Sequence, residues 1–150
     1  MEESGDNSMF IGEYQHNIDT KGRIIVPAKF REELGEAMIV TRWLDGCLAL
    51  YTLEQWQQVY ENLKKLPSTK REVRMYTHMI MSKAAECDLD SQGRIRIPAH
   101  LTQEAKLTKN CVVVGVSDHV EIWDQTRWTD YCEAASENFE EIAESLTEFF

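Results

Sequence analysis

Apolar and polar residues alternate over several short stretches of this 150-residue chain, and such alternation predicts β-strands with one buried face. In the stretch RIIVP, Ile24 and Val26 fall on one face of the predicted strand and Arg23 falls on the other. Pro27 ends the strand, and the residues AKFREEL that follow it have helical spacing. The pattern therefore predicts a short strand that leads directly into a short helix.

This pattern occurs twice in the chain. DTKGRIIVPA at residues 19–28 is matched by DSQGRIRIPA at residues 90–99, with six of the ten positions identical. Further on, LALYTLEQW corresponds to VEIWDQTRW. Each copy predicts the order strand, turn, strand, short helix, strand, turn, strand, helix. Because two copies are too few for a solenoid, we expect one domain in which each half completes the other's sheet about a pseudo-two-fold axis.

The repeat divides the chain into five expected segments. They are a disordered extension, a first repeat, a linking helix, a second repeat and an acidic helix or tail, at residues 1–8, 9–66, 67–84, 85–132 and 133–150. Thr52, followed three residues later by Gln55, predicts a capped helix start. The methionines of the linking helix are expected to fill the core or a subunit contact.

The last segment has apolar residues at spacings of four and three, which predicts a helix with one apolar seam. The seam consists of Trp128, Cys132, Ala135, Phe139, Ile142, Leu146 and Phe149. A parallel self-pair would repel itself, since residues 133–150 hold six glutamates and no base. The alternatives are docking on the chain's own body, docking on a basic neighbour, and a solvated tail that frays beyond about residue 143.

The net charge of −10 is concentrated at the two ends of the chain. Residues 1–8 hold three acids and no base, whereas residues 9–132 hold 17 acids and all 16 bases. The body is therefore close to neutral, and it can carry a local basic face. We expect a soluble, cytoplasmic protein, because there is no apolar run of membrane-spanning length and no secretory signal pattern.

Enzyme and metal chemistry find little support in the sequence. The four cysteines form no CxxC pair and the four histidines have no ligand spacing, which favours reduced thiols over a zinc site. The paired turns at Asp19 and Asp90 invite comparison with aspartic proteases, but Lys21 and Gln92 stand where those enzymes need glycine. We therefore expect no catalytic residue, no metal, no cofactor and no small-molecule ligand.

The two repeated turns carry the candidate chemistry. Asp19 and Asp90 can each accept hydrogen bonds from the backbone ahead, and Gly22 and Gly93 are expected to take a positive φ. A β-branched residue at either glycine should therefore destabilise the turn. The glycines are predicted to be structural rather than chemical.

Arg23 and Arg94 follow these aspartates by four residues, with Lys21 and Arg96 nearby. One interpretation is an ion pair that only stabilises each turn. The other is a symmetric β-ribbon that reads DNA, since arginine suits guanine O6 and N7 and lysine suits phosphate. The two roles are compatible, because the carboxylate can hold the guanidinium in its aimed rotamer.

These motifs resemble the MraZ family of bacterial transcriptional regulators, within the AbrB/SpoVT-like swapped-hairpin superfamily. The resemblance covers about residues 9–131 and rests on MFIGEYQHNIDTKGRIIVPAKFREEL, VTRWLDGCLALYTLEQW and LDSQGRIRIPAHL, with a doubled D-x-x-x-R signature. It implies an α+β fold in which two fused swapped-hairpin motifs form one pseudo-two-fold, β-barrel-like domain with flanking helices.

The resemblance also implies a nucleoid-associated, ring-like homo-oligomer that binds double-stranded DNA. Its expected targets are closely spaced G-rich direct repeats in the promoter of the division and cell-wall gene cluster that begins with the regulator's own gene. The expected DNA-binding residues are Lys21, Arg23, Arg94 and Arg96, and the turn and arginine-orienting residues are Asp19, Gly22, Asp90 and Gly93. Gln92 in place of Lys21 leaves open whether the two copies contribute equally. The alternative is a partner-binding or scaffold protein of the same fold without promoter recognition.

Overall fold

A computed structural model describes residues 9–150, so the extension predicted at residues 1–8 lies outside the described residues. Strands and helices alternate through the described part in an α+β arrangement. The strands are β1 (Glu13–Asn17), β2 (Arg23–Ile25), β3 (Ala37–Arg42), β4 (Leu48–Thr52), β5 (Ala85–Asp88), β6 (Arg94–Arg96), β7 (Asn110–Val116) and β8 (His119–Asp124). The helices are α1 (Ala28–Leu34), α2 (Leu53–Lys64), α3 (Arg71–Lys83), α4 (Ala99–Glu104), α5 (Gln125–Glu137) and α6 (Phe139–Ser145).

The element order predicted from the repeat is confirmed in both copies. The first copy contributes β1, β2, α1, β3, β4 and α2, and the second contributes β5, β6, α4, β7, β8 and α5 in the same order. Pro27 and Pro98 hold the N-cap positions of the two short helices, as their place after each strand predicts. The Oγ1 atom of Thr52 accepts the Gln55 N–H at 2.9 Å, which confirms the predicted cap of α2.

Six antiparallel strands form the main sheet, in the order β1-β7-β8-β4-β3-β5. Strand β1 of the first copy pairs with β7 of the second copy, and β5 of the second copy pairs with β3 of the first. The two copies thus exchange their first strands. This exchange confirms that each half completes the sheet of the other.

The remaining strands, β2 and β6, form a two-stranded antiparallel ribbon. Strands β1 and β5, the two edges of the main sheet, each lead through a tight turn into one strand of this ribbon. The ribbon therefore connects the two sheet edges and gives the predicted barrel-like closure. Ile24 lies directly opposite Ile95 at its centre, where the pseudo-two-fold axis relates the copies.

The core lies between the ribbon, the short helices and the main sheet. Ile24 and Val26 are buried in it together with Ile95 and Ile97, which confirms the buried face predicted for each ribbon strand. Each such side chain contributes about 1.5–3 kcal/mol relative to an exposed one. The opposite face of the ribbon is left to residues that face solvent.

Strand β7 is buried on both faces, as its apolar run predicts. Cys111 and Val113 join the main core. Val112 and Val114 join a second cluster with Trp123, against which Trp128 of α5 packs. Helix α5 is thereby fixed to the outer face of the sheet.

The apolar seam predicted a single long C-terminal helix, and this prediction is wrong. Helix α5 ends at Glu137, and Asn138, with φ −115° and ψ 16°, breaks the helical path before α6 begins. The apolar side chains beyond the break do not dock on the chain's own body: Phe139 is 69% exposed and Phe149 is 73% exposed. The apolar spacing alone could not reveal this break, because the residues on both sides of Asn138 keep the same period.

Candidate nucleic-acid interface

The first turn is organised by the carboxylate of Asp19. Its Oδ1 atom accepts the backbone N–H groups of Lys21 and Arg23, both at 2.9 Å. Its Oδ2 atom accepts the Nε–H of Arg23 at 2.7 Å. The Asp19 carbonyl accepts the Gly22 N–H at 3.0 Å and closes the turn. One aspartate therefore satisfies the turn's donors and fixes the arginine side chain.

The second turn has the same geometry. The Oδ1 atom of Asp90 accepts the N–H groups of Gln92 at 2.8 Å and Arg94 at 2.9 Å, and its Oδ2 accepts the Arg94 Nε–H at 2.9 Å. Within the described part of the chain, the terminal Nη atoms of both paired arginines have no hydrogen-bond partner. Each guanidinium is therefore fixed through its Nε atom, and its Nη atoms stay available to another partner.

Both turn carboxylates are held in their charged form. The hydrogen bond from the Arg23 backbone N–H lowers the pKa of Asp19, and the Arg94 N–H does the same for the pKa of Asp90. A proton-sharing pair needs one carboxyl with a raised pKa. Their lowered pKa values therefore oppose an aspartic-protease dyad.

The turns require glycine at two positions. Gly22 has φ 83° and Gly93 has φ 77°, in the region that residues with a Cβ rarely adopt. The Ile97 N–H donates to the Gly22 carbonyl at 2.8 Å, and the Val26 N–H donates to the Gly93 carbonyl at 2.9 Å. Each turn is thus bonded to the end of the other copy's strand, and the two turns cannot move independently of the ribbon.

The solvent face of the ribbon carries the predicted site residues. Arg23 lies directly opposite Arg96, and Arg94 lies opposite Ile25, which is 40% exposed. The Nε atom of Arg96 donates to the carbonyl of Lys21 at 3.1 Å. The structure therefore brings Lys21, Arg23 and Arg96 together at one end of the ribbon, with Arg94 towards the other end. Residues 19–26 and 90–97 hold four bases and two acids, so the surface is locally basic.

Sequence reasoning missed Arg31, a half-buried residue of α1. Its guanidinium lies against Gly93, where an added Cβ would overlap it. Within residues 9–150 it has no ion pair or side-chain hydrogen bond. The repeat places Thr102 at the equivalent position of the second copy. This difference between the copies was the sequence feature that could have drawn attention to Arg31. Arg31 thus puts a cation of the first copy beside the second turn, which lacks a lysine.

Other chemistry is sparse in the described part of the chain. Residues 9–150 contain no group of three or more His, Cys, Asp and Glu side chains that could hold a metal ion. None of their helices combines the length and apolar character that crossing a bilayer requires. All four cysteines are free thiols, and burial raises the pKa of Cys87 and of Cys111 to about 12. These two thiols are therefore neutral structural groups.

The chain matches a protein-family model described as "MraZ protein, putative antitoxin-like". The model matches twice in tandem, over residues 9–79 and 80–150. Each match contains one of the D-x-x-x-R turns, so the two matches coincide with the two halves that exchange strands. The chain therefore belongs to the MraZ family, a family of regulators rather than of enzymes.

Proposed function

We propose that this protein is a sequence-specific DNA-binding transcriptional regulator and that the solvent face of the β2–β6 ribbon is its DNA interface. The proposal rests on the way in which Arg23 and Arg94 are held. Each is held through its Nε by a turn aspartate, and its Nη atoms have no hydrogen-bond partner within residues 9–150. Exposed ion pairs of this kind add little stability, so stability alone does not account for the two fixed arginines.

The chemistry fits recognition of base edges. A two-stranded β-ribbon fits the major groove of B-form DNA, where arginine binds guanine O6 and N7 with two hydrogen bonds. Fixing Nε in advance leaves Nη atoms whose orientation is already set, so less rotamer entropy is lost on binding. Lys21, which is exposed beside the first turn, is placed to contact phosphate.

The two copies would play similar but unequal roles. In the first turn, Lys21 supplies a second cation beside Arg23. In the second turn, Gln92 replaces that lysine, and Arg31 from the first copy supplies the cation instead. Arg96 adds a further positive charge opposite Arg23. The asymmetry suits a DNA site whose two halves differ in sequence.

We further propose that the protein acts as a ring-like homo-oligomer on closely spaced G-rich direct repeats. Its targets would lie in the promoter of the division and cell-wall gene cluster, including its own gene, and it would be a cytoplasmic, nucleoid-associated protein. Few basic residues of each chain would face the DNA, so affinity would come from an oligomer that binds several DNA repeats at once. The acidic C-terminal segment, residues 133–150, carries six glutamates and no base and would lie away from the DNA.

Fluorescence anisotropy with the DNA upstream of the protein's own gene tests the proposal. The comparison duplex has the same length and base composition, but its guanine runs are scrambled. We expect the upstream duplex to bind more tightly, with an affinity that falls steeply as salt rises. Equal affinities for the two duplexes at matched salt would contradict sequence-specific binding.

The second candidate function is a partner-binding or scaffold role on the same fold. The exposed apolar surface of α2 and α3 favours it, because Leu53, Met75 and Met79 are each at least 42% exposed. A scaffold would not need the basic ribbon. Absence of binding to any DNA at low salt would favour this role over promoter recognition.

A further inference from the structure

An open apolar groove lies between α2, α3 and the loop that joins them. Its volume is about 360 Å³, and apolar groups from both helices line it, among them Tyr60, Leu63, Val73 and Met81. Neither helix is anchored deeply: along Leu53–Lys64 no residue is fully buried, and along Arg71–Lys83 only Ile80 is. This pair of helices therefore contacts the sheet but leaves many of its apolar residues exposed.

The rim of this groove is basic. Lys64 and Arg74 line it directly. Residues 60–83, which span the groove, hold six bases and two acids, against a net charge of −10 for the whole chain. A partner that fits must therefore combine an apolar face with negative charge.

Helix α6 of the same chain has this combination. Phe139 and Ile142 of α6 and Leu146 at its C-cap follow each other at spacings of three and four, so they lie on one side of the helix. They are 69%, 46% and 41% exposed, so none of them is buried by the described part of the chain. The residues between and after them include Glu140, Glu141, Glu144 and Glu148, and residues 139–150 contain no base. The groove and α6 are thus complementary in both apolar character and charge, yet each is uncovered.

We propose that α6 of one copy docks in the α2–α3 groove of a second copy. The inference rests on the homo-oligomer proposed above and names its contact. The two surfaces are different parts of the chain, so the contact is head-to-tail and each copy has one free groove and one free α6. Repetition of such a contact closes a ring when the rotation between neighbours permits. An amphipathic helix in an apolar groove is a recurrent mode of protein recognition.

The first experiment compares two double variants of the full chain by size-exclusion chromatography with light scattering. Ile142→Ser/Leu146→Ser removes two of the three apolar side chains of the α6 surface. The matched control, Ile11→Ser/Val116→Ser, removes exposed apolar groups elsewhere, at residues that are 63% and 37% exposed. We expect the α6 variant to fall to the mass of one chain while the control keeps the wild-type mass. Circular dichroism of both variants should match the wild type, since these residues lie outside the core.

The second experiment establishes that the contact runs between chains and is head-to-tail. Arg74→Glu reverses a charge at the groove and should also yield single chains. Mixed with the α6 variant in equal amounts, it should form particles of two chains, because one intact α6 meets one intact groove and assembly stops there. A mixture that stays monomeric, or that rebuilds the full oligomer, would overturn the head-to-tail contact.

The outcomes separate this inference from the proposed function. If the wild type is oligomeric and the α6 variant keeps its mass, the docking inference fails and the oligomer stands. A monomeric wild type would overturn both the oligomer and the docking contact. DNA binding by single chains would still be measurable in that case, through the anisotropy assay with the upstream duplex.

Discussion

Arg23 and Arg96 lie directly opposite each other in the β2–β6 ribbon, although they belong to different copies of the repeat. Like charges in this position destabilise a sheet. Arg23 has Asp19 as its partner, whereas Arg96 has no ion pair within residues 9–150 and donates only to the carbonyl of Lys21. A polyanion on this face would relieve the repulsion. The pair therefore does not serve the stability of the fold, which supports the proposed role of this face in binding DNA.

The turn geometry is tested by alanine at two glycines. Gly22 has φ 83° and Gly93 has φ 77° at equivalent positions of the repeat, so alanine at either costs about 1 kcal/mol in backbone strain. A Cβ at Gly22 would also lie 2.6 Å from the Ile97 carbonyl oxygen, which is fixed backbone, whereas one at Gly93 would meet the guanidinium end of Arg31, a flexible side chain that can move away. We expect Gly22→Ala to lower the melting temperature clearly more than Gly93→Ala. Equal melting temperatures would contradict the close approach of the first turn to β6.

The repeat made much of the fold predictable from the sequence. Local signals such as Pro27 and Pro98 mark the ends of strands and the starts of short helices. Because of the duplication, each signal occurs twice, and the two copies support the same assignment. The pairing of Arg23 with Arg96 could not be predicted, because alternation shows which face a residue takes and not which strand lies beside it. Arg31 was missed for a similar reason, since its contact with Gly93 joins the helix of one copy to the turn of the other.

The second test concerns a buried histidine. His119 lies between two carboxylates, with its ring nitrogens 2.8 Å from Asp118 Oδ1 and 2.9 Å from Glu121 Oε2. Burial disfavours the charged ring, but the hydrogen bonds to Glu121 and Asp118 outweigh burial and raise the pKa of His119. Protonated His119 therefore stabilises the fold. This stabilisation is fully present below the unfolded pKa of about 6.5 and is lost as the pH rises through the folded pKa.

We expect the wild type to be more stable than His119→Gln below about pH 6.5, with a difference that shrinks as the pH rises. Chemical denaturation of both proteins over a pH series measures the difference in unfolding free energy. A difference that stays constant across the series would show that His119 does not change its charge on folding.

For the ribbon arginine, we expect Arg23→Ala to lose roughly 1–3 kcal/mol of DNA-binding free energy per engaged base contact, multiplied in effect by avidity. The fold should survive, because the Arg23–Asp19 pair is exposed and such pairs add little stability. Lys29→Ala, in α1, is a control that removes an exposed base outside both the ribbon and the α2–α3 groove. Melting and promoter binding are measured on the same preparation. Normal binding with earlier melting would mean that Arg23 only braces Asp19.

The salt dependence of binding tests the lysine and its counterpart. Lys21→Ala should weaken binding to all sequences and flatten the slope of log K against log salt by about one unit per engaged chain. Gln92→Lys adds the missing cation to the second turn, so it should steepen the slope by a similar amount. The two variants change one charge each at equivalent positions of the repeat. A slope that neither variant changes would place the phosphate contacts outside the two turns.

The last prediction concerns Arg31, whose guanidinium lies against Gly93 and has no ion pair within residues 9–150. If Arg31 supplies the cation that Gln92 does not, Arg31→Gln should weaken DNA binding and leave the melting temperature close to that of the wild type. Stability is spared because glutamine keeps most of the side-chain packing on α1 and breaks no ion pair. The equivalent residue of the second copy, Thr102, provides the control variant Thr102→Val.

The double variant Arg31→Gln/Gln92→Lys makes this test specific to the second turn. Gln92→Lys should restore much of the binding lost in Arg31→Gln, because it returns one positive charge to the same turn by a different route. Lys21 cannot compensate, since it lies at the other end of the ribbon beside Arg96. Anisotropy with the upstream duplex at two salt concentrations measures both variants and their combination. If Arg31→Gln binds like the wild type, the cation beside Gly93 serves only the packing of α1 on the second turn.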